Sequence, residues 1–95
     1  MRVKWTRPAL ADLIEAQTYI AQDNPRAAQR IGERVWEAGK QLRDNLYIGR
    51  PGERAGTREW VIGRTPYRLI YRVEEDVIEI LRVWHARRNA ATDAE

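Results

Sequence analysis

Residues 57–88, TREWVIGRTPYRLIYRVEEDVIEILRVWHARR, decide the fold. The spacing predicts three strands, over 57–62, 67–73 and 77–84, joined by turns at 63–66 (GRTP) and 74–76 (EED). On the middle strand Tyr67, Leu69, Tyr71 and Val73 share one face, and Arg68, Ile70 and Arg72 take the other. The last strand is apolar on both faces, with Ile78, Ile80 and Trp84 opposite Val77, Leu81 and Val83. Such a strand belongs inside a sheet, not at its edge. The same stretch holds the single histidine, His85, two of the four tryptophans and seven of the fifteen arginines. Lysine is absent from it, and Arg suits planar, bidentate contacts to carboxylate or phosphate.

Upstream lies a short strand and two helices. In residues 2–6 (RVKWT), Val3 and Trp5 alternate with Arg2 and Lys4. Thr6 is placed to cap a helix over 8–22, with Pro8 in its first turn. Leu10, Leu13, Ile14, Gln17, Ile20 and Ala21 recur at helical spacing on one side. Asp12 and Glu15 suit the positive end of its dipole. Asp23-Asn24-Pro25 breaks the chain, and a second helix follows to about Asp44. Ala28, Ile31, Val35, Ala38 and Leu42 form its apolar stripe. A break this short predicts an antiparallel helical hairpin. Gly32 and Gly39, seven apart on the second helix, allow close approach of the first. Residues 45–56 read as a loop pinned by Leu46, Tyr47 and Ile48. The prediction is a single α+β domain over residues 1–88, ordered βααβββ, with a helical hairpin on one face of a mostly antiparallel sheet. Residues 89–95 have little to bury and should fray.

Composition narrows the function. Ninety-five residues with 43% hydrophobic content permit one modest core. The net charge of +3 is too weak to argue for sequence-specific nucleic-acid binding, and none is expected. Without cysteine there are no disulfides or thiolate metal sites, and one histidine leaves only carboxylates as further ligands. No glycine pattern suits a phosphate. No cofactor is therefore expected. The N-terminus has no apolar segment of signal-peptide length and no run approaches a membrane span, so the expected location is cytoplasmic, with no membrane partner.

An ordered series of motifs then resembles a known family. The short strand leads into Ala9-x-x-Asp12-Leu13, with Tyr19-Ile20-Ala21 closing the helix. Asn24-Pro25-x-Ala27-Ala28 follows, then IGRPG over 48–52, GTRE over 56–59, PYRLIYR over 66–72 and IEILRVWHARR over 78–88. From about residue 3 to residue 88 the chain is similar to the ParE branch of the RelE/ParE toxin superfamily. The resemblance implies the toxin of a type II toxin–antitoxin pair, neutralised by a ParD-like antitoxin and poisoning DNA gyrase by protein contact. It assigns ParE toxins no catalytic residues, whereas RelE relatives cut mRNA on the ribosome.

The residues weigh these alternatives. The RelE pattern leans on sheet lysines and a tyrosine or histidine near the C-terminus. Here no lysine follows Lys40 and no tyrosine follows Tyr71. An enzymatic reading would rest on Glu59 as base, Arg68 or Arg82 against the phosphate, and His85 as acid. The preferred reading of His85 is a polar strand end beside Trp84. For contact with a target, Arg58, Arg64, Arg82, Arg87 and Arg88 are the candidates, with Trp60 or Trp84 as anchor. For the antitoxin, an amphipathic helix would lie on the hairpin against Leu10, Leu13, Ile14, Gln17, Tyr19 and Ile20, some of which must also supply core. A third reading is a detoxified protein-binding module.

Overall fold

The computed structural model describes residues 1–86. Its elements are β1 (Arg2–Trp5), α1 (Arg7–Ala21), α2 (Pro25–Leu42), β2 (Arg50–Pro51), β3 (Arg58–Val61), β4 (Tyr67–Val73) and β5 (Val77–His85). The sheet order is β1-β5-β4-β3-β2. β1 runs parallel to β5, and every other pair is antiparallel. The sheet is thus mixed, and β5 lies in its interior as expected, although its open face carries Glu79 and Arg82 beside Trp84. β2 was not expected. It is two residues long and contains Pro51, so it carries neither the alternation nor the composition that marks a strand. The expected domain limit at residue 88 and the frayed tail over 89–95 lie outside the described residues. Among the described residues, no helix is long and apolar enough to cross a membrane.

Local chemistry sets the helix ends. The Thr6 hydroxyl oxygen accepts from Ala9 N and also faces the Ile80 and Leu81 carbonyls of β5, at 2.9 and 3.1 Å. One side chain therefore caps α1 and ties its start to the sheet. Asn24 caps α2 by accepting from Ala27 N at 3.1 Å, with Pro25 at the first helical position.

Both helices cover one face of the sheet. Val35 and Leu42 of α2 pack on Leu69, Tyr71, Ile78 and Ile80, all fully buried. From α1 the residues pressed to the sheet are Ala9 and Ala16, with Leu13 and Ile20 beside them. Leu10 and Ile14 point outward, and Ile14 is 64% exposed. The expected single apolar side of α1 is thereby corrected. Small side chains let the helix axis approach the sheet closely, and the bulky residues one position further round are turned to solvent. The two glycines also divide their work. A Cβ at Gly32 would meet the Gln17 amide of α1, whereas one at Gly39 would meet the Trp5 ring and approach Ile80 to 3.2 Å. Only Gly32 serves the helix–helix contact; Gly39 lets α2 sit down on β1 and β5.

The segment between α2 and β3 is held by Tyr71. Its buried hydroxyl accepts from Gly49 N at 2.9 Å and donates to the Leu46 carbonyl at 2.9 Å. Leu46 packs against the core, but Tyr47 and Ile48 are exposed, so only one of the three expected pins holds. Tyr71→Phe would leave a backbone N–H without its partner inside the protein. We expect a loss of about 1–3 kcal/mol in urea unfolding. A melting curve unchanged from wild type would show that water replaces the hydroxyl.

Candidate functional site

The face of the sheet opposite the helices carries Glu59 from β3, Arg68, Ile70 and Arg72 from β4, and Glu79, Arg82 and Trp84 from β5. With residues of the 53–57 turn, Leu81 and Ala86, part of this face forms a cleft of about 340 Å³. Its lining mixes apolar surface from Ile70, Leu81 and Trp84 with the ion-paired side chains of Glu59, Arg68 and Arg82 and with Glu53 and Arg54 of the turn. Arg68 reaches across β3 to Glu59 at 2.8 Å. The Glu59 carboxylate, mostly buried, also accepts from Glu53 N at 3.4 Å and so holds the turn above the cleft. Further along the face Arg72 bonds Glu79 at 2.6 Å. That hydrogen bond holds the Glu79 carboxyl below its ordinary range and raises the Arg72 guanidinium.

A β-bulge shapes this face. The register pairs Tyr71 with Ile80 but Ile70 with Arg82, so Leu81 has no partner on β4. Before the bulge Ile78 and Ile80 face the helices; after it Val83 does, and Trp84 is turned to the open face. The expected grouping of Trp84 with Ile78 and Ile80 is overturned for this reason. Strict alternation cannot register an inserted residue, and every side chain beyond it changes sides.

The bulge also leaves a backbone group to satisfy. β1 ends opposite Ile80, so among the described residues no strand lies beside the outer edge of β5 beyond it. Asp12 of α1 takes that place. Its carboxylate accepts from Val83 N at 3.0 Å and takes a bidentate pair from Arg82, Nε at 2.7 Å and Nη2 at 2.9 Å. The Arg82 guanidinium in turn lies 4.9 Å from the centre of the Trp84 ring. Asp12, expected to complement the helix dipole, instead joins α1 to the sheet. It was absent from the candidate residues, although its position carried a signal. It stands three residues after Ala9 and four before Ala16, a charge within the buried stripe, and such a charge requires a partner across the contact.

The other candidates separate. Arg58 and Trp60 face the helical side, in register with Tyr71 and Leu69. Arg58 donates to the Gly49 carbonyl at 2.9 Å and the Tyr47 carbonyl at 3.2 Å, and lies over the Tyr47 ring, so it serves the loop. Trp60 packs against the core and is not an anchor on the open face. Arg64 is exposed at the β3–β4 turn, in a left-handed backbone conformation at φ 64. Arg87 and Arg88 lie outside the described residues. His85 pairs in register with Tyr67 and meets that buried ring edge-on at 5.1 Å between ring centres. It is the last residue of β5, the strand end expected of it, and it lies on the sheet face opposite Glu59, Arg68 and Trp84. Of the four residues of the enzymatic alternative, Glu59, Arg68 and Arg82 line one cleft, and His85 is not brought to it. Of the antitoxin-facing set, Leu10, Ile14 and Tyr19 are exposed, Leu13 and Ile20 pack against the core, and Gln17 donates to the Ala28 carbonyl at 3.2 Å across the hairpin.

This architecture recurs in known proteins. A Pseudomonas aeruginosa chromosomal ParDE toxin–antitoxin system contains a chain that superposes with a TM-score of 0.82 at 33% identity, covering 92% of this chain and 97% of that one. A chain of the Mycobacterium tuberculosis toxin–antitoxin complex RelBE2 matches with a TM-score of 0.54 at 31% identity, over 88% of this chain and 95% of that one. A helical hairpin on one face of a mixed sheet, with the other face open, thus defines a toxin fold of the RelE/ParE kind. In sequence, residues 3–90 match the family described as ParE toxin of type II toxin-antitoxin system, parDE, and the chain belongs to that family. The Sinorhizobium fredii protein Y4kP is 42% identical over 87 residues, covering 92% of this chain and 90% of its own length. Toxin RelE2 of Caulobacter vibrioides is 39% identical over 87 residues, covering 92% and 97%.

Proposed function

We propose that this chain inhibits DNA gyrase through protein–protein contact and is neutralised by a ParD-like antitoxin. The observation that carries the reading is the separation of His85 from Glu59 and Arg68 by the thickness of the sheet. An acid–base ribonuclease needs its proton donor within hydrogen-bond reach of the same phosphate as its base. Here the open face offers an apolar and aromatic cleft in which Arg68 and Arg82 are held by carboxylates. That equipment suits binding, with Trp84 as the anchor and Arg82 fixed beside it. The relation to the ParDE system supports the same direction.

For the antitoxin, the exposed Leu10 and Ile14, one turn apart on α1, suit the apolar face of a helix, with the exposed Tyr19 on the other flank of α1. Purified chain is expected to block supercoiling by gyrase, with supercoiling restored when antitoxin is added. Normal supercoiling in the presence of excess free toxin would remove the gyrase reading. The ribonuclease reading is supported by the kinship to Toxin RelE2 and to the RelBE2 chain. It requires mRNA cleavage on the ribosome that is lost in His85→Ala. Induced expression with no effect on bacterial growth would instead favour the detoxified binding module.

A further inference from the structure

We propose that Asp12 is a positioning residue for the open face, acting through Arg82 on Trp84; the inference rests on the reading of that face as the target-contact surface. Three contacts converge on one mostly buried carboxylate, two from Arg82 and one from the backbone of Val83. The bulge at Leu81 turns Trp84 to the open face and releases the Val83 N–H in the same step. The Asp12 carboxylate stabilises both consequences. It satisfies the released N–H, and its two oxygens fix the plane of the guanidinium at the end of a long stem. That guanidinium lies against the Trp84 ring.

The arrangement gives α1 a second role. Leu10 and Ile14 flank Asp12 on the helix and point outward. A partner that shifts α1 by pressing on them also shifts Asp12, and with it the Arg82–Trp84 pair on the opposite side of the sheet. The antitoxin-facing ridge and the target-facing cleft are joined through one side chain.

The two functions of Asp12 can be told apart. In Asp12→Asn the amide oxygen can still accept from Val83 N, but the charge that orients Arg82 is gone. In Arg82→Gln the Asp12 bond to Val83 N remains and only the guanidinium is lost. Two readouts apply to the full chain. One is the indole N–H resonance of Trp84 in a proton–nitrogen spectrum, assigned with Trp84→Phe. The other is growth arrest on induced expression, which reports toxicity whatever the target.

Both single variants are expected to move the Trp84 resonance and to relieve growth arrest roughly tenfold, while the double variant is no weaker than Arg82→Gln alone. A Trp84 resonance unmoved in folded Asp12→Asn overturns the proposal. So does an Asp12→Asn effect of undiminished size in the Arg82→Gln background, which would mark Asp12 as merely structural. Should Asp12→Asn fail to fold, Arg82→Gln decides: wild-type toxicity in that folded variant overturns it. If the wild-type chain arrests no growth, the functional reading falls, while the Trp84 resonance still decides the positioning. Normal gyrase activity with growth arrest retained would overturn the gyrase target and leave this inference standing.

Discussion

Ile80→Ala is expected to cost about 2–5 kcal/mol, the range for emptying a fully buried aliphatic site. Ile80 is 0% exposed and sits where three elements meet. It pairs with Trp5 on β1 and Tyr71 on β4, and it lies under Gly39 of α2. Neighbours on three sides hold the cavity open, because neither the sheet ladder nor the helix can move in to fill it. A domain of this size has roughly 5–15 kcal/mol in total. The melting temperature should therefore fall by about 8–40 °C, at roughly 4–8 °C per kcal/mol. Thermal unfolding followed by circular dichroism measures it. A loss under about 1 kcal/mol would mean that the β1–β5–α2 junction is not the packed centre of the domain.

Trp84→Ala is expected to raise the concentration of toxin needed to inhibit gyrase by about 30-fold, the size of a 2 kcal/mol anchor residue. The ring is half-buried on the open face and has Arg82 against it. It faces away from the helices, so its removal should leave the fold and the exposed Leu10 and Ile14 of α1 in place. Titration of gyrase supercoiling with folded wild type and Trp84→Ala measures the effect. Equal inhibition by the two would place the target contact elsewhere. The matching expectation is that Trp60→Ala loses stability before it loses affinity, because Trp60 packs on the core side.

How far these features could be read in advance depended on how local their causes are. β4 was readable to the residue, because Tyr67, Leu69 and Tyr71 alternate with Arg68 and Arg72 and one face is buried. The helix starts were readable because Thr6 and Asn24 act within three residues of themselves. The bulge at Leu81 was not. Residues 77–84 are apolar at nearly every position, so a slip of one residue leaves the pattern looking the same while moving Trp84 to the other face. On α1 the larger residues Leu10 and Ile14 outweighed Ala9 and Ala16 in any hydrophobicity count, although it is the alanines whose size allows contact with the sheet.

The site divides in the same way. The pairing of Glu59 with Arg68 follows once the β3–β4 hairpin is recognised, since the two positions come to lie on one face. The placement of His85 could not follow, because it lies beyond the bulge and inherits the change of side. Asp12 and Arg82 are 70 residues apart, and only the fold brings them together. Charged residues within apolar stripes are the features to look for in related chains, because their partners lie across a tertiary contact.

Contact with gyrase is the proposed basis of toxicity, and the cleavage complex between gyrase and DNA tests it most directly. Wild type, His85→Ala and Trp84→Ala, each confirmed as folded, would be added to gyrase and plasmid DNA, and the linear DNA trapped by the enzyme measured. Wild type and His85→Ala should accumulate linear DNA to similar extents, and Trp84→Ala much less. No trapped DNA with wild type, together with ribosomal mRNA cleavage abolished in His85→Ala, would contradict the account and make the chain an enzyme.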